Sequence, residues 1–250
     1  MPDSITRIGD NAFNNCRKLV LSKLPDSLTT IGDAAFYVCE KLENLIIPDT
    51  VSTIGSHAFA GCSNLKSVVL PKGLKEIPYA AFNNCTKLTS VTMPEKLEKI
   101  GNSAFSCCSN LKTIEIPEGI KIIGDYAFSE APITEINFPE SLCKIGTYVF
   151  SQSSISTIVI PESVEVIEGP FKEGGLFIFC EASEKPSGWA DGWDFNCTVK
   201  WNVSVVDIVN IGGVIYAITE NYAIIASPPA DDGGYPSEVE YKGKKYTVIS

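Results

Sequence analysis

Apolar residues recur along this chain in rows fixed relative to a returning proline. The prolines are Pro2, Pro25, Pro48, Pro71, Pro94, Pro117, Pro139 and Pro161. Three residues before most of them stand Leu45, Val68, Val91, Ile114, Ile136 and Ile158, with Ser22 the exception. One residue before stand Leu24, Ile47, Leu70, Met93, Ile116, Phe138 and Ile160. These two rows are two residues apart, so they share one face of a strand that the proline, lacking an N–H, ends. Three and six residues after the proline come a second pair of rows, the latter always isoleucine, from Ile8 to Ile167. They predict a second short extended segment.

Glycine follows that isoleucine in six coils, from Gly9 to Gly146, and predicts a turn favouring a residue without Cβ. Pro78 interrupts the glycine row. Next comes an Ala-Phe pair, Ala12-Phe13 through Ala127-Phe128 and then Val149-Phe150, and three residues further Cys16, Cys39, Cys62, Cys85 and Cys108. That last spacing predicts one inward-facing turn of α- or 3₁₀-helix.

The prolines are 23 residues apart five times and then 22 apart twice. A fixed period of this size specifies a solenoid in which each coil packs only on its neighbours. The fold class is therefore an α/β repeat solenoid of leucine-rich-repeat type, strand-rich with short helical turns, followed by a small β segment. Residues 1–180 are assigned to about eight coils and 181–202, with the stretch KPSGWADGWDFNCTVKW, to an aromatic capping segment. Residues 203–250 form a small β module with two hairpins, one about Glu220-Asn221 and one about Lys242-Gly243-Lys244, joined by the polar loop PPADDGGYPS. The module is either the start of a second array or a cap on the first.

Composition narrows the function. Net charge is −10, and so acidic a surface repels phosphate, which argues against nucleic acid and anionic membranes. No apolar run approaches the ~20 residues that span a bilayer, so no membrane insertion is expected. The first residues carry no leader peptide and enter the repeat partway, as expected of a piece of a longer polypeptide.

The cysteine row invites a metal or redox reading, but zinc ligands must converge tetrahedrally and a row at 23-residue intervals is linear. The thiols read instead as small buried hydrophobes. Cys180 and Cys197 flank the aromatic stretch and are either a capping disulfide or two free thiols. His57 is the one histidine and sits in a chemically indifferent row expected to face water. With no nucleophile, metal or phosphate-loop motif, no catalytic residue, no cofactor and no enzymatic activity are expected.

The coil reads L-x-x-[IV]-x-[IL]-P-x-x-[VL]-x-x-I-G-x-x-A-F-x-x-C, as in LKSVVLPKGLKEIPYAAFNNC and LKTIEIPEGIKIIGDYAF. It resembles the BspA-like leucine-rich repeat family over residues 1–180. The resemblance implies a surface or secreted protein, extracellular, that adheres to host matrix or to other cells. The implied partner is a protein or glycan ligand on host or neighbouring cells.

The rows that alternate with the buried strand positions point outward together. Asn44, Ile46, Ser67, Val69, Ser90, Thr92, Thr113 and Glu115 form the candidate partner-binding face. The leading functional reading is a non-catalytic binding or adhesion solenoid. The alternative is a passive structural spacer within a larger multidomain secreted protein.

Overall fold

The computed structural model describes residues 1–21, 23–211, 213–226 and 235–249. Ser22 and most of the PPADDGGYPS loop lie outside them. The repeat winds into a solenoid whose coils stack through two parallel ladders. The strands that precede the prolines pair in register at Asn44–Ile46, Ser67–Val69 and Ser90–Thr92; a later one, Thr157–Ile160, pairs with Phe177–Cys180, which pairs in turn with Thr198–Trp201. The second strands are two residues each, pairing isoleucine on isoleucine from Ile8 to Ile54 and from Ile77 to Ile167.

The second ladder breaks between Ile54 and Ile77, beside Pro78. Elsewhere the residue after the isoleucine donates to the isoleucine of the preceding coil, as Gly55 does to Ile31 and Gly101 to Ile77, both at 2.8 Å. Proline has no N–H to give, so the rung is lost where the glycine row is interrupted.

The inward rows are buried as expected, and the phenylalanine rings form one column. Centroids from Phe13 through Phe36, Phe59, Phe82, Phe105 and Phe128 to Phe150 lie 5.2 to 6.0 Å apart with interplanar angles of 4 to 11°. Phe36 to Phe150 are fully buried, whereas Phe13, at the first coil, is half-buried.

Two local expectations are corrected. The described residues contain no helix, so the Phe-to-Cys segment is not a helical turn. In the first coil Ala12, Asn14 and Cys16 donate within their own turns, to Gly9, Asn11 and Phe13. The intervening N–H groups of Asn11, Phe13 and Asn15 donate instead to Asp33, Ala35 and Tyr37 of the next coil, each at 2.8 Å. In a helix consecutive N–H groups beyond the first turn all bond back along the same segment; here alternate ones hold the neighbouring coil. Left-handed residues, Asn11 at φ 56° and Asn15 at φ 58°, supply the alternation, and later coils repeat it down to Tyr148 and Gln152.

The glycine row, in turn, has no left-handed φ. Its cause is close approach between coils. A Cβ on Gly32 would stand 2.6 Å from the Asp10 nitrogen, and one on Gly124 2.6 Å from the Asn102 nitrogen. Gly9, in the first coil, would meet nothing within 4 Å. The residue that follows the glycine explains the tightness: the Asp33 carboxylate accepts from the Ser56 N–H at 2.7 Å and Asp125 from the Thr147 N–H at 2.8 Å. That His57 and Ala80 occupy left-handed positions also explains why their row is chemically mixed: the backbone, not the side chain, is constrained. His57 is half-buried edge-on to Tyr79, and Ala80 is buried, so this row does not simply face water.

Around the expected aromatic capping segment, Phe177–Cys180 pairs in parallel with Thr198–Trp201. Trp189 bridges to Ile167 in the isoleucine row, its indole N–H donates to the Val164 carbonyl at 3.0 Å, and Trp193 packs edge-on to Phe171. The spacing along this ladder, from Ile158 to Ile178 and then to Val199, is 20 and then 21 residues. All nine cysteines, Cys180 and Cys197 included, are free.

Both expected hairpins form: Val214–Ile218 pairs antiparallel with Tyr222–Ile225, and Glu238–Tyr241 with Lys244–Ile249. Lys242 and Gly243 both have positive φ, as a two-residue hairpin loop requires. A further strand, Asp207–Ile211, pairs with Val214–Ile218 and forms one edge of this five-stranded sheet. The sheet does not stack end-on. It packs Ala217 and Ile224 against Phe177, Phe179 and Val159, the outward side of the last long strands.

Candidate functional site

The eight residues of the candidate face all lie on the outward side of the first strands. Asn44, Ser67 and Ser90 are ladder partners, as are Ile46, Val69 and Thr92. Between them Leu45 and Val68 are buried and Val91 half-buried, so the alternation that sequence reasoning relied on holds. Ser67 donates to the Asn44 side chain at 2.8 Å. Ile46 is 71% exposed and Val69 37%, an apolar spot on a field of small polar groups.

Thr113 and Glu115 are exposed on the same side, but their segment forms no strand and does not join the ladder. Neither 113–116 nor 135–138 makes a backbone hydrogen bond, while behind them Phe82 donates to Ala104 at 3.0 Å and Phe105 to Ala127 at 2.8 Å. The coils thus stay bonded at the ring column and part at the strands. A cleft of about 420 Å³ opens between Ser90–Met93 and Thr113–Glu118.

The face ends at the C-terminal sheet. Continuing the outward rows gives Glu135 and Asn137, both exposed, then Thr157, buried, and Val159, half-buried. Where the edge strand Asp207–Ile211 meets this floor a second cleft of about 360 Å³ remains. Asp207 is fixed at its mouth: the Tyr241 hydroxyl donates to the carboxylate, the Ile208 N–H donates at 2.9 Å and Lys242 stands 3.5 Å away. Those contacts, the tyrosine first, hold its carboxyl below the usual range. Sequence reasoning missed this corner because its second wall comes from a strand without a repeat signature.

The other clusters serve structure. The thiols of Cys39, Cys62, Cys85 and Cys108 each donate to the phenylalanine carbonyl of the preceding coil, at 3.2 to 3.3 Å. Burial pushes Cys62 and Cys108 up to about 12, which opposes nucleophilic chemistry. Trp189 and Trp193 are buried and offer no surface to a ligand. Among the described residues no group of three or more His, Cys, Asp or Glu side chains could hold a metal ion, and no helix is long and apolar enough to cross a membrane.

The sequence that builds these stacked ladders matches a known family. The profile of the BspA type leucine rich repeat region matches six copies, over residues 1–106 and 63–171. This chain belongs to the BspA-type leucine-rich repeat family. A leucine-rich repeat protein from Bacteroides ovatus is similar in structure to this BspA-type chain, with 31% identity and a TM-score of 0.71 over 80% of this chain and 54% of its own. Another from Eubacterium ventriosum shows 26% identity and a TM-score of 0.52, over 78% and 45%. The BspA-type chain therefore spans about half the length of these relatives. No curated protein matches it.

Proposed function

We propose that this BspA-type solenoid is a non-catalytic attachment module of a surface or secreted protein, and that it binds a protein partner through the outward strand face. The observation that carries the reading is the exposed, in-register pair Ile46 and Val69 within the polar rows Asn44, Ser67, Ser90 and Thr92. An extended flat face of this kind is what solenoids offer to partners. The same rows are covered by the protein's own sheet from Thr157 onward, so partner contact is confined to the earlier coils, with Thr113 and Glu115 at the far margin.

The test is capture of matrix proteins and glycans by the full chain, compared with a Val69→Asp, Thr92→Lys double variant. Both positions are exposed, so the variant keeps its fold. Loss of a captured protein on substitution supports the face. A passive spacer predicts no specific capture by either form, and undiminished capture by the double variant moves the site elsewhere.

A further inference from the structure

We propose that the cleft between Ser90–Met93 and Thr113–Glu118 receives an extended segment of the protein partner, which pairs as a strand with the free edge of Ser90–Thr92 and lays apolar side chains on the cleft floor. This deepens the attachment reading and rests on it. The cleft lies within the outward face, with Thr92 on its near wall and Thr113 on its far one.

The backbone supplies the first argument. Ser90–Thr92 is the last strand of its three-stranded sheet. Its bonds to the preceding coil use the Ser90 N–H, which donates to Lys66 at 3.3 Å, and the Thr92 carbonyl, which accepts from Leu70 at 3.0 Å. Successive residues of a strand direct their N–H and C=O groups to opposite edges. Those of Val91 therefore point into the cleft, together with the Met93 N–H. No residue of 113–116 bonds to them. Donors and acceptors alternating at strand spacing match another peptide backbone, and side chains on every second residue then find the floor.

The floor is a second, independent sign of a missing cover. One residue before the proline, Ile47, Leu70 and Ile160 are buried, whereas Met93 and Ile116 are half-buried. Three residues before, Leu45 and Val68 are buried and Val91 half-buried. These are core rows, and they lose their cover where the strands part. The cleft is also fixed on both sides. Before the strands the Asn110 amide donates to the Thr86 carbonyl at 2.6 Å, and after them Lys99–Ile100 pairs with Ile122–Ile123. An entering segment thus meets walls already in place, which lowers the cost of binding. Glu115 and Glu118 line the cleft and no lysine or arginine does, so lysine suits the ends of the segment better than aspartate.

The probe is an acetylated, amidated heptapeptide, Lys-Val-Thr-Val-Thr-Val-Lys, titrated into the full chain and followed by amide-correlation NMR and hydrogen exchange. Saturable shifts confined to 89–93 and 113–118 are expected, with exchange at Val91 and Met93 slowed roughly tenfold or more. Two further peptides, N-methylated at the valines or at the threonines, each remove the donors of one strand edge. At least one of them should bind roughly tenfold more weakly, because more than one backbone bond is lost. Met93→Gln keeps the side-chain length but makes the floor polar, and should weaken binding about fivefold. If that variant fails to fold, the N-methylated peptides decide the matter on the parent chain. Equal binding by all three peptides, unchanged exchange at Val91, or affinity indifferent to Met93→Gln would overturn the proposal. So would protection of Val91 that grows with protein concentration in the absence of peptide, which would place a second copy at this edge. None of these readouts uses a captured partner, so the cleft can fail while the Val69 and Thr92 test still supports the face, and the reverse.

Discussion

The thiol of Cys62 donates a hydrogen bond to the carbonyl oxygen of Phe36, one coil earlier, at 3.2 Å. That carbonyl also accepts the Cys39 N–H of its own coil at 3.2 Å, so the cysteine row adds a second, inter-coil bond at each phenylalanine carbonyl and ties neighbouring coils together beside the ring column. Ser153, which holds the equivalent position in a shortened coil, has a buried hydroxyl with no partner.

Burial of these thiols has a pH consequence. Cys62 and Cys108 are raised from 9.0 to about 12, and burial is the first cause. A raised folded value favours the neutral thiol, so the stability it carries is complete below pH 9 and is lost as pH climbs toward 12. Urea midpoints should be flat near neutrality and fall above pH 9, and less so in Cys62→Ala. In native protein a disulfide reagent at pH 8 should modify the exposed Cys16 but not Cys39, Cys62, Cys85 or Cys108; rapid labelling of those four would contradict the packing.

Phe82 is sealed between Phe59 and Phe105, at 5.5 and 5.6 Å. Phe82→Ala should cost about 3–5 kcal/mol and weaken the cooperativity of unfolding, because coils on either side lose their shared contact. Phe13→Ala, at a half-buried end position, should cost less. Denaturant curves for the two variants make the comparison, and equal losses would mean that position in the column is irrelevant.

Gly124 and Gly9 occupy the same repeat position with opposite surroundings. Gly124→Ala drives a methyl against the Asn102 backbone and should cost about 1–3 kcal/mol. Gly9→Ala meets nothing and has no left-handed φ, so it should be neutral or stabilise by up to ~1 kcal/mol. Thermal melts of both variants decide it: a drop in both would restore the turn explanation.

Glu98 accepts from Lys75 and Lys121 of the coils on either side, and these partners hold its carboxyl down at about 2, against an ordinary 4.5. A lowered folded value gives stability that is present above pH 4.5 and lost as pH falls toward 2. The pair is exposed, so salt will screen it. The difference in urea midpoint between the parent and Glu98→Gln should shrink through that window and at high salt; a difference unchanged at pH 2 would sink the assignment.

The inward rows were legible because each repeats, and eight copies make a single ambiguous residue harmless. The same regularity misled at the glycine row: a conformational need and a steric one both select glycine, and only the distance to Asp10 or Asn102 separates them. The helical turn was misread because a Phe-to-Cys spacing of three fits a helix as well as a run of tight turns. Inter-coil bonds from Asn11, Phe13 and Asn15 decided between them, and those are invisible to local pattern. Of the candidate face, the outward direction was legible from alternation alone. The parting of the strands at Thr113 and Glu115, and the wall supplied by Asp207, depend on contacts between segments far apart in sequence.

The direction of the bonds between coils has an electrical consequence. At the turn, Phe13 points its N–H forward to Ala35, whereas at the second strand Gly32 points its own back to Ile8. An α-helix aligns every peptide along its axis and accumulates an end-to-end moment. Here opposed peptide moments largely cancel at each boundary, so coils add to the rod without polarising it.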